Sequence, residues 1–163
     1  MKTCLLMRHA KSSWKDLTLP DHDRPLKKRG KRDAPRMGTL LMEQDLIPDA
    51  ILCSTAKRAR QTVDGLLQNC DFEGELEYLD DLYHADYAIY LETLNQLPNW
   101  IESAMIVGHN PEMDAFLEEV CGVYDHMVTA AIALIHFPVD DWAELTPESQ
   151  GDLLQLWKPR ELD

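Results

Sequence analysis

The sequence predicts a three-layer α/β/α sandwich whose central sheet is mostly parallel, with an antiparallel edge. Short apolar runs alternate with longer segments of helical periodicity, and this alternation is typical of parallel α/β folds. The last two apolar runs have no helical segment between them, which favours an antiparallel pair at one edge of the sheet. A chain of 163 residues suits one domain with a sizeable core, so we assign residues 1–163 to a single domain.

Six segments are predicted to be strands. Three of them are continuous apolar runs, as expected for parallel strands that are covered on both faces; these are residues 4–7, 50–53 and 104–107. A shorter run at residues 75–79 is the remaining parallel candidate. The predicted antiparallel pair comprises residues 130–137 and 152–157, and the proline-containing segment 138–151 between them is predicted to be a loop.

Four segments are predicted to be helices, namely residues 28–44, 56–67, 87–97 and 112–120. Apolar residues recur at helical spacing in the first of them, where Pro35 predicts either a kink or a late start. Ser54 and Thr55 are N-cap candidates for the second helix. The polar segment 11–28 contains two prolines and is predicted to be a loop.

Charge is distributed unevenly along the chain. The net charge is −13, yet residues 1–60 hold 14 of the 16 Lys and Arg and only 7 of the 29 Asp and Glu, a local balance of +7. The remainder of the chain carries −20. Such an acidic surface favours solubility and repels a nucleic-acid backbone, which argues against a long nucleic-acid footprint. The basic residues are instead available to a compact anion site.

The sequence gives no sign of a membrane or secreted protein. No stretch approaches the roughly 20 apolar residues that cross a bilayer, and Met1-Lys2-Thr3 leads directly into the first predicted strand, so we expect no cleavable signal peptide. The four cysteines lie far apart without a CxxC pair, which favours reduced thiols in a cytoplasmic protein over a disulfide framework or a zinc site. They are Cys4, Cys53, Cys70 and Cys121.

Three predicted parallel strands end in polar clusters. Arg8-His9 follows the first strand, residues 54–62 follow the second, and Gly108-His109-Asn110 follows the strand at 104–107. Because the carboxyl ends of parallel strands meet at one edge of a sheet, we expect these clusters to converge. Together they supply at least two guanidinium groups, two imidazoles and a helix N-terminus. That combination fits a tetrahedral dianion.

The clusters resemble the motifs of the histidine phosphatase superfamily, also called phosphoglycerate mutase-like. Residues 8–12 resemble its RHG-type motif, with Ala10 in place of the usual glycine. The other matching segments are residues 23–34 (D-x-P-L-x-x-x-G-x-x-x-A), residues 54–62 (S-x-x-x-R-A-x-Q-T) and the second histidine motif at residues 108–110. Residues 157–162 resemble the tail of the small SixA-type phosphohistidine phosphatases, which implies a fold without the large cap domain of the mutases.

This resemblance implies a role for each matching side chain. His9 is the implied nucleophile, which carries the phosphoryl group during turnover. His109 is expected to act as an imidazolium while His9 stays neutral, so we expect their environments to push their pKa values apart. No metal or cofactor is implied, because guanidinium groups supply the charge. The residues expected to bind phosphate are Arg8, Lys11, Ser12, Arg58, His109 and Asn110.

The resemblance also raises the question of the general acid. Many relatives place an acidic residue after the third strand, and Asp81 is our candidate for that position, with a solvated loop carboxylate as the alternative. Phosphohistidine leaves as imidazole, whose conjugate acid has a pKa of about 6.5, so its cleavage needs less proton donation than that of an alkyl phosphate. A weak or absent acid therefore favours a substrate with a P–N bond.

We therefore predict a cytoplasmic phosphatase that hydrolyses phosphohistidine on a protein, such as a phosphotransfer-type domain. The first alternative is a phosphatase of small phosphorylated metabolites. The second is a phosphate-recognition module without turnover, although binding alone does not require an unprotonated imidazole. The sequence does not indicate an oligomeric state.

Several neighbouring residues have two interpretations. Lys11, Lys15 and Arg24 are candidates for the rim of the pocket, or for a solvated loop. Asp23 is a candidate to orient Arg8 or Arg58, or simply to begin a helix. Trp14 is a candidate to close over the pocket. Packing roles are expected for Trp100, Trp142 and Trp157, and surface or core positions without a ligand for His84, His126 and His136.

Overall fold

The computed structural model describes residues 1–162. Its strands are β1 (Lys2–Arg8), β2 (Ala50–Ser54), β3 (Glu75–Leu79), β4 (Ser103–Gly108), β5 (Ile132–Phe137) and β6 (Asp152–Trp157). Its α-helices are α1 (Lys28–Glu43), α2 (Lys57–Leu66), α3 (Tyr87–Asn95) and α4 (Glu112–Cys121). The strands and helices that the sequence predicts are all present, and their ends differ from the predicted ends by at most two residues.

The strands form one mixed sheet in the order β3-β2-β4-β1-β5-β6. The first four strands in this order are parallel, while β5 is antiparallel to β1 and β6 is antiparallel to β5. The predicted sheet, parallel with an antiparallel edge, is therefore confirmed.

Two hydrophobic cores lie on opposite faces of this sheet. In β1, Cys4 and Leu6 belong to the core under α3 and α4, whereas Leu5 and Met7 belong to the core under α1 and α2. Because both faces are covered, every residue of the apolar run from Cys4 to Met7 is fully buried. This explains why the strand lacks an alternating pattern, and it confirms the three-layer prediction.

The register of the central strands determines where the first and third polar clusters meet. Arg8 at the end of β1 lies opposite Gly108 at the end of β4, so His9 and His109 leave neighbouring strands at the same level. The segment before β5 closes this edge, because the Ala130 amide donates to the carbonyl oxygens of Arg8 (3.0 Å) and His9 (3.1 Å).

Two details differ from the predictions. Pro35 lies inside α1, which already begins at Lys28, so a late start is wrong. Trp100 is 62% exposed, so its predicted packing role is wrong; it lies in the connection before β4. Trp142, in contrast, is fully buried, and its indole Nε1 donates to the Ile101 carbonyl at 2.6 Å.

The thiols of all four cysteines are free, and Cys4, Cys53 and Cys70 are buried. Burial raises the pKa of the Cys53 thiol far above its ordinary value, which agrees with an unreactive core residue. Across residues 1–162, the structure contains no helix with the length and apolar character needed to cross a membrane.

Candidate active site

His9 lies just beyond β1, at the carboxyl-end edge of the sheet, and is 7% exposed. Its Nδ1 lies 2.8 Å from the Ala10 carbonyl oxygen. A carbonyl only accepts hydrogen bonds, so Nδ1 carries the ring proton and Nε2 holds the free lone pair. Burial and the charges of Arg58, Arg8 and Arg24 outweigh that hydrogen bond and lower the pKa of His9 to about 3. His9 is therefore neutral near pH 7, as an attacking imidazole must be.

His109 faces His9, with 5.2 Å between the two ring centroids. Its Nε2 lies 2.8 Å from the Ser54 hydroxyl, which also accepts from the Ala56 amide. The Ser54 hydroxyl can donate its proton to this Nε2, an arrangement in which the ring proton of His109 lies on Nδ1. Nδ1 is buried without a partner among the described residues, so this N–H is available to an oxygen bound between the two rings.

The expectation that the two histidines have opposite charge states is wrong for the ligand-free site. Burial, followed by the proximity of His9 and Arg58, lowers the pKa of His109 to about 3, the same value as for His9. Both rings are removed from water beside guanidinium groups, and both of these effects oppose a further positive charge. The neutral Nδ1–H tautomer of His109 still provides a hydrogen-bond donor without a full charge.

Arg58, near the start of α2, is 6% exposed and is held by Asp21. Its Nη1 donates to the Asp21 carbonyl oxygen (2.7 Å) and its Nη2 to the Asp21 Oδ2 (3.0 Å). The Tyr83 hydroxyl donates to the same carboxylate oxygen at 2.7 Å. Burial would raise the pKa of Asp21, but hydrogen bonds from Tyr83 and Arg58 and the Arg58 charge outweigh it, so this pKa lies well below its usual range.

Asp21, rather than the predicted Asp23, therefore orients a site arginine. Asp21 begins the same short 3₁₀ turn, two residues before Asp23, and lies outside the matched motif segment. The Asp23 carboxylate instead lies 3.7 Å from the Nδ1 of His22, its neighbour in the chain. Tyr83 was also missed, because no motif distinguishes it; its ring packs edge-on against His109, with 5.6 Å between centroids.

Arg8 and Asn110 converge on the carbonyl oxygen of Met127. Arg8 donates to it from Nη1 (3.1 Å) and Asn110 from Nδ2 (3.0 Å), while the Asn110 Oδ1 accepts from the Asp114 amide. These two bonds tie α4 to the segment before β5 and use the Asn110 Oδ1 and one of its two Nδ2 hydrogens. The phosphate contact of Asn110 therefore stays a prediction. The Arg8 Nε is buried and has no partner among the described residues, so Arg8 keeps donor capacity for a ligand.

Ser12 and Arg24 contact each other beside the site. Arg24 is 6% exposed, and its Nη1 donates to the Ser12 hydroxyl oxygen at 2.9 Å. Its Nε donates to Asp21 at 3.1 Å, and its guanidinium stacks on Trp14 at 3.5 Å from the ring centroid. Arg24 is therefore part of the buried hydrogen-bond network, so the alternative of a solvated loop cation is wrong. Trp14 is 64% exposed and covers Arg24.

Lys11 contributes to the site through its main chain. Its carbonyl oxygen accepts from the Lys27 amide at 3.0 Å, and a Cβ at Gly30 would overlap that same carbonyl. This close approach explains the glycine of the D-x-P-L-x-x-x-G segment. Lys15 is exposed.

Asp81 lies on the short 3₁₀ turn after β3 and is exposed. Among residues 1–162 the structure gives its side chain no hydrogen bond or ion pair. The preceding residue, Asp80, accepts from the Thr55 hydroxyl at 2.7 Å, and Thr55 in turn contacts His22. No contact among the described residues positions the Asp81 carboxyl group to act as a general acid.

Thr62 on α2 links the two halves of the site. Its hydroxyl accepts from the Ala10 amide (2.9 Å) and donates to the Arg58 carbonyl (2.7 Å). The turn that carries His9 is therefore fixed to the helix that carries Arg58. Thr62 belongs to the S-x-x-x-R-A-x-Q-T segment, so the sequence located it, but only the structure shows which groups it joins.

The two buried histidines make stability depend on pH. Between the unfolded pKa of about 6.5 and the folded value of about 3, the unfolded chain binds more protons than the folded one. Each histidine then lowers the free energy of unfolding by up to about 1.4 kcal/mol per pH unit as the pH falls. We expect a constant urea midpoint between about pH 7 and 8, below the range where the thiols ionise in the unfolded chain, and a decrease between about pH 6.5 and 5.

The control for this titration is the double variant His9→Gln/His109→Gln, whose urea midpoint should change less over the same range. Asp21 does not contribute to this decrease, because its pKa in the folded protein is lowered. Its effect on the free energy of unfolding therefore falls below about pH 4. Equal slopes for the two proteins would contradict neutral burial of the histidines.

As a whole, two neutral imidazoles and the guanidinium groups of Arg8 and Arg58 lie close together at the carboxyl-end edge of the sheet. This arrangement can attack a tetrahedral phosphoryl group in line and stabilise the charge that develops on its oxygens. Among residues 1–162 no group of three or more His, Cys, Asp and Glu side chains has a geometry that would hold a metal ion.

Comparisons with known proteins agree with this geometry. The family model for the histidine phosphatase superfamily (branch 1) matches residues 4–124. The uncharacterized protein Rv1276c of Mycobacterium tuberculosis is 34% identical over 152 residues, which cover 86% of this chain and 92% of that protein.

Two solved structures assigned to the phosphohistidine phosphatase SixA are also similar. The structure from Nakamurella multipartitia has a TM-score of 0.86 at 26% identity and covers 97% of this chain and 96% of that one. The structure from Agrobacterium tumefaciens has a TM-score of 0.83 at 28% identity, and the match covers 97% of this chain and 98% of that one. With a family model spanning most of the chain and the two histidines facing each other, the protein belongs to branch 1 of the histidine phosphatase superfamily.

Proposed function

We propose that this protein is a phosphatase that hydrolyses phosphohistidine on a protein through a covalent phosphoryl intermediate on His9. The observation that carries the proposal is the facing pair of neutral, buried imidazoles, of which His9 has its Nδ1 proton fixed by the Ala10 carbonyl. The resulting lone pair on Nε2 suits a nucleophile, which simple phosphate recognition does not require.

The reaction has two displacements. In the first, the Nε2 lone pair of His9 forms a bond to phosphorus, the P–N bond to the substrate imidazole breaks, and the leaving nitrogen takes a proton from solvent. In the second, water attacks phosphorus, the bond to Nε2 breaks, and the water proton passes to solvent as phosphate leaves. Arg8, Arg58 and the Nδ1–H of His109 stabilise the phosphoryl oxygens in both steps.

The lack of a clear proton donor favours a P–N substrate. Asp21 is the carboxylate bonded to Arg58 and Tyr83, and its pKa is held well below the usual range by those contacts, so it stays ionised. Asp81 is exposed and has no contact that would position it. Imidazole, whose conjugate acid has a pKa of about 6.5, leaves without strong acid assistance, unlike an alkoxide.

Glu112 favours a second candidate, a phosphatase of small phosphomonoesters. It begins α4, three residues after His109, is 9% exposed, and has one carboxylate oxygen that is buried without a partner among the described residues. Burial raises its pKa, which favours the protonated form that a general acid requires. The charged groups that shift the pKa of Glu112 are His84 and Asp86. Because His9 is not among them, the phosphomonoester candidate comes second.

The two candidates are separated by the rates on matched substrates. We expect kcat/KM for a phosphohistidine peptide to exceed that for p-nitrophenyl phosphate and for sugar phosphates by at least about 10-fold, with Glu112→Gln changing the peptide rate by less than about threefold. Acid-labile label from a phosphohistidine donor should map to His9 after an alkaline quench.

The opposite pattern would support the phosphomonoester candidate: faster turnover of the esters, with a loss of at least about 30-fold in Glu112→Gln. Label on any residue other than His9 would contradict the covalent mechanism for either substrate.

A further inference from the structure

An arginine-lined pocket lies outside the catalytic pair. It has a volume of about 280 Å³ and lies between α1, the segment before β5 and the 3₁₀ turn Pro159–Glu161. Its basic lining residues are Arg29, Arg32, Arg36 and Arg160, and its one acidic lining residue is Asp33. In a chain of net charge −13, this is a local concentration of positive charge, which attracts anions.

The arginines differ in how strongly they are engaged. Asp33, buried in α1, lies 3.7 Å from the Arg32 Nε and 3.7 Å from the Arg36 Nη1, and Arg36 also donates to the Pro159 carbonyl. The side chains of Arg29 and Arg160 are exposed, and among residues 1–162 neither side chain makes a hydrogen bond or ion pair. The pocket thus has two arginines that contact Asp33, namely Arg32 and Arg36, and two whose guanidinium groups have no protein partner among the described residues.

The pocket shares a wall with the active site. Thr129 lines the pocket, and the next residue, Ala130, donates its amide to the carbonyl oxygens of Arg8 and His9. Consecutive Cα atoms are about 3.8 Å apart, so the pocket wall is one residue away from direct contact with the nucleophile's backbone. The pocket therefore borders the segment that is hydrogen-bonded to the turn carrying His9.

We propose that this pocket docks carboxylate side chains of the protein that carries the phosphorylated histidine, an inference that rests on the proposed function. Planar guanidinium groups pair with carboxylates in bidentate fashion. The acidic remainder of this chain repels an acidic partner, whereas the four arginines of the pocket attract it. The pocket therefore selects phosphohistidines that have Asp or Glu on the surrounding surface.

The test uses two synthetic phosphohistidine peptides of equal length, one with glutamates flanking the phosphohistidine and one with glutamines at the same positions. For the unaltered protein at low salt we expect kcat/KM to be about 10-fold higher for the glutamate peptide, with the difference lost at high salt. In the double variant Arg29→Ala/Arg160→Ala, the ratio between the two peptides should fall below about twofold.

The matched control is Lys31→Ala/Arg60→Ala, which removes the same charge from exposed positions that do not line the pocket. It should keep the full preference, and thermal unfolding should show that both double variants are folded. The docking site is overturned if the ratio of kcat/KM between the two peptides is near one in the unaltered protein, or if Arg29→Ala/Arg160→Ala leaves it unchanged. In either case, turnover of the peptides still upholds the proposed function. If the unaltered protein hydrolyses neither peptide, the proposed function and the docking site are both overturned.

Discussion

Replacing His9 with alanine is expected to reduce kcat on a phosphohistidine substrate by about 10⁴-fold or more and to abolish the covalent phosphoryl intermediate. Removal of a catalytic nucleophile leaves only the catalysis supplied by the remaining binding groups. The His9 ring lies 5.2 Å from that of His109, but the second imidazole has Nε2 engaged with Ser54 and is not oriented as a replacement nucleophile. The measurement is single-turnover hydrolysis together with acid-labile labelling.

Two further variants test whether the loss of activity is specific to the imidazole of His9. His9→Gln keeps a polar side chain of similar size in the buried position and should be equally inactive, which separates lost chemistry from lost packing. His126→Ala removes an exposed histidine that contacts Asp114 and should stay within about twofold of the unaltered protein. Full retention of activity in His9→Ala would instead support a phosphate-recognition module or a different nucleophile.

Replacing Arg58 with alanine is expected to reduce kcat by about 10³-fold, because a positioned arginine stabilises the charge on the transferring phosphoryl group. Asp21 fixes this guanidinium through contacts at 2.7 and 3.0 Å, and Tyr83 fixes Asp21. The Arg58 Nε is buried without a partner among the described residues. Arg58→Lys should recover little, because an ammonium group cannot bind Asp21 and a phosphoryl group with the same planar geometry.

Variants of Asp21 and Tyr83, which hold Arg58 in place, test whether the orientation of its guanidinium group affects kcat. Asp21→Asn keeps the guanidinium but weakens the charged contact, so we expect an intermediate loss of about 10-fold in kcat. Tyr83→Phe should cause a smaller loss of the same kind. The free energy of unfolding should be measured for each variant, because Arg58 is 6% exposed. Equal activity of Arg58→Ala and the unaltered protein would contradict a role in phosphoryl transfer.

The predicted parts of the site are those that depend on local sequence. Arg8, His9 and His109 follow strands whose apolar runs are continuous, and parallel strands bring such ends to one edge of a sheet. The motif residues Arg58 and Thr62 lie on the first turns of a helix that starts at the same edge. The convergence of these clusters follows from hydrophobic periodicity and the parallel pairing that it predicts, whereas the choice of Arg58 and Thr62 within residues 54–62 came from the resemblance to the family motif.

The parts that were missed depend on side chains meeting across long sequence separations. Asp21 and Tyr83 are 62 residues apart and share a carboxylate hydrogen bond, which no pattern in either segment indicates. The charge states of the histidines were also mispredicted, because the pKa values of His9 and His109 are set by burial that both rings share. Arg24, in a polar loop segment, is buried through its contacts with Ser12, Asp21 and Trp14.

The succession of strands and helices along the chain, the layered architecture and the convergence of the polar clusters at one edge of the sheet could be predicted without coordinates, because they follow from the period of apolar residues and from the parallel pairing that this period indicates. The folded chain was needed to show that Asp21 holds Arg58, that Ser54 contacts the Nε2 of His109 and that burial lowers the pKa of both histidines. Hydrogen bonds and desolvation are sensitive to differences of a few tenths of an ångström in the distance between groups that are far apart in the chain. Those distances are set only once the chain has packed.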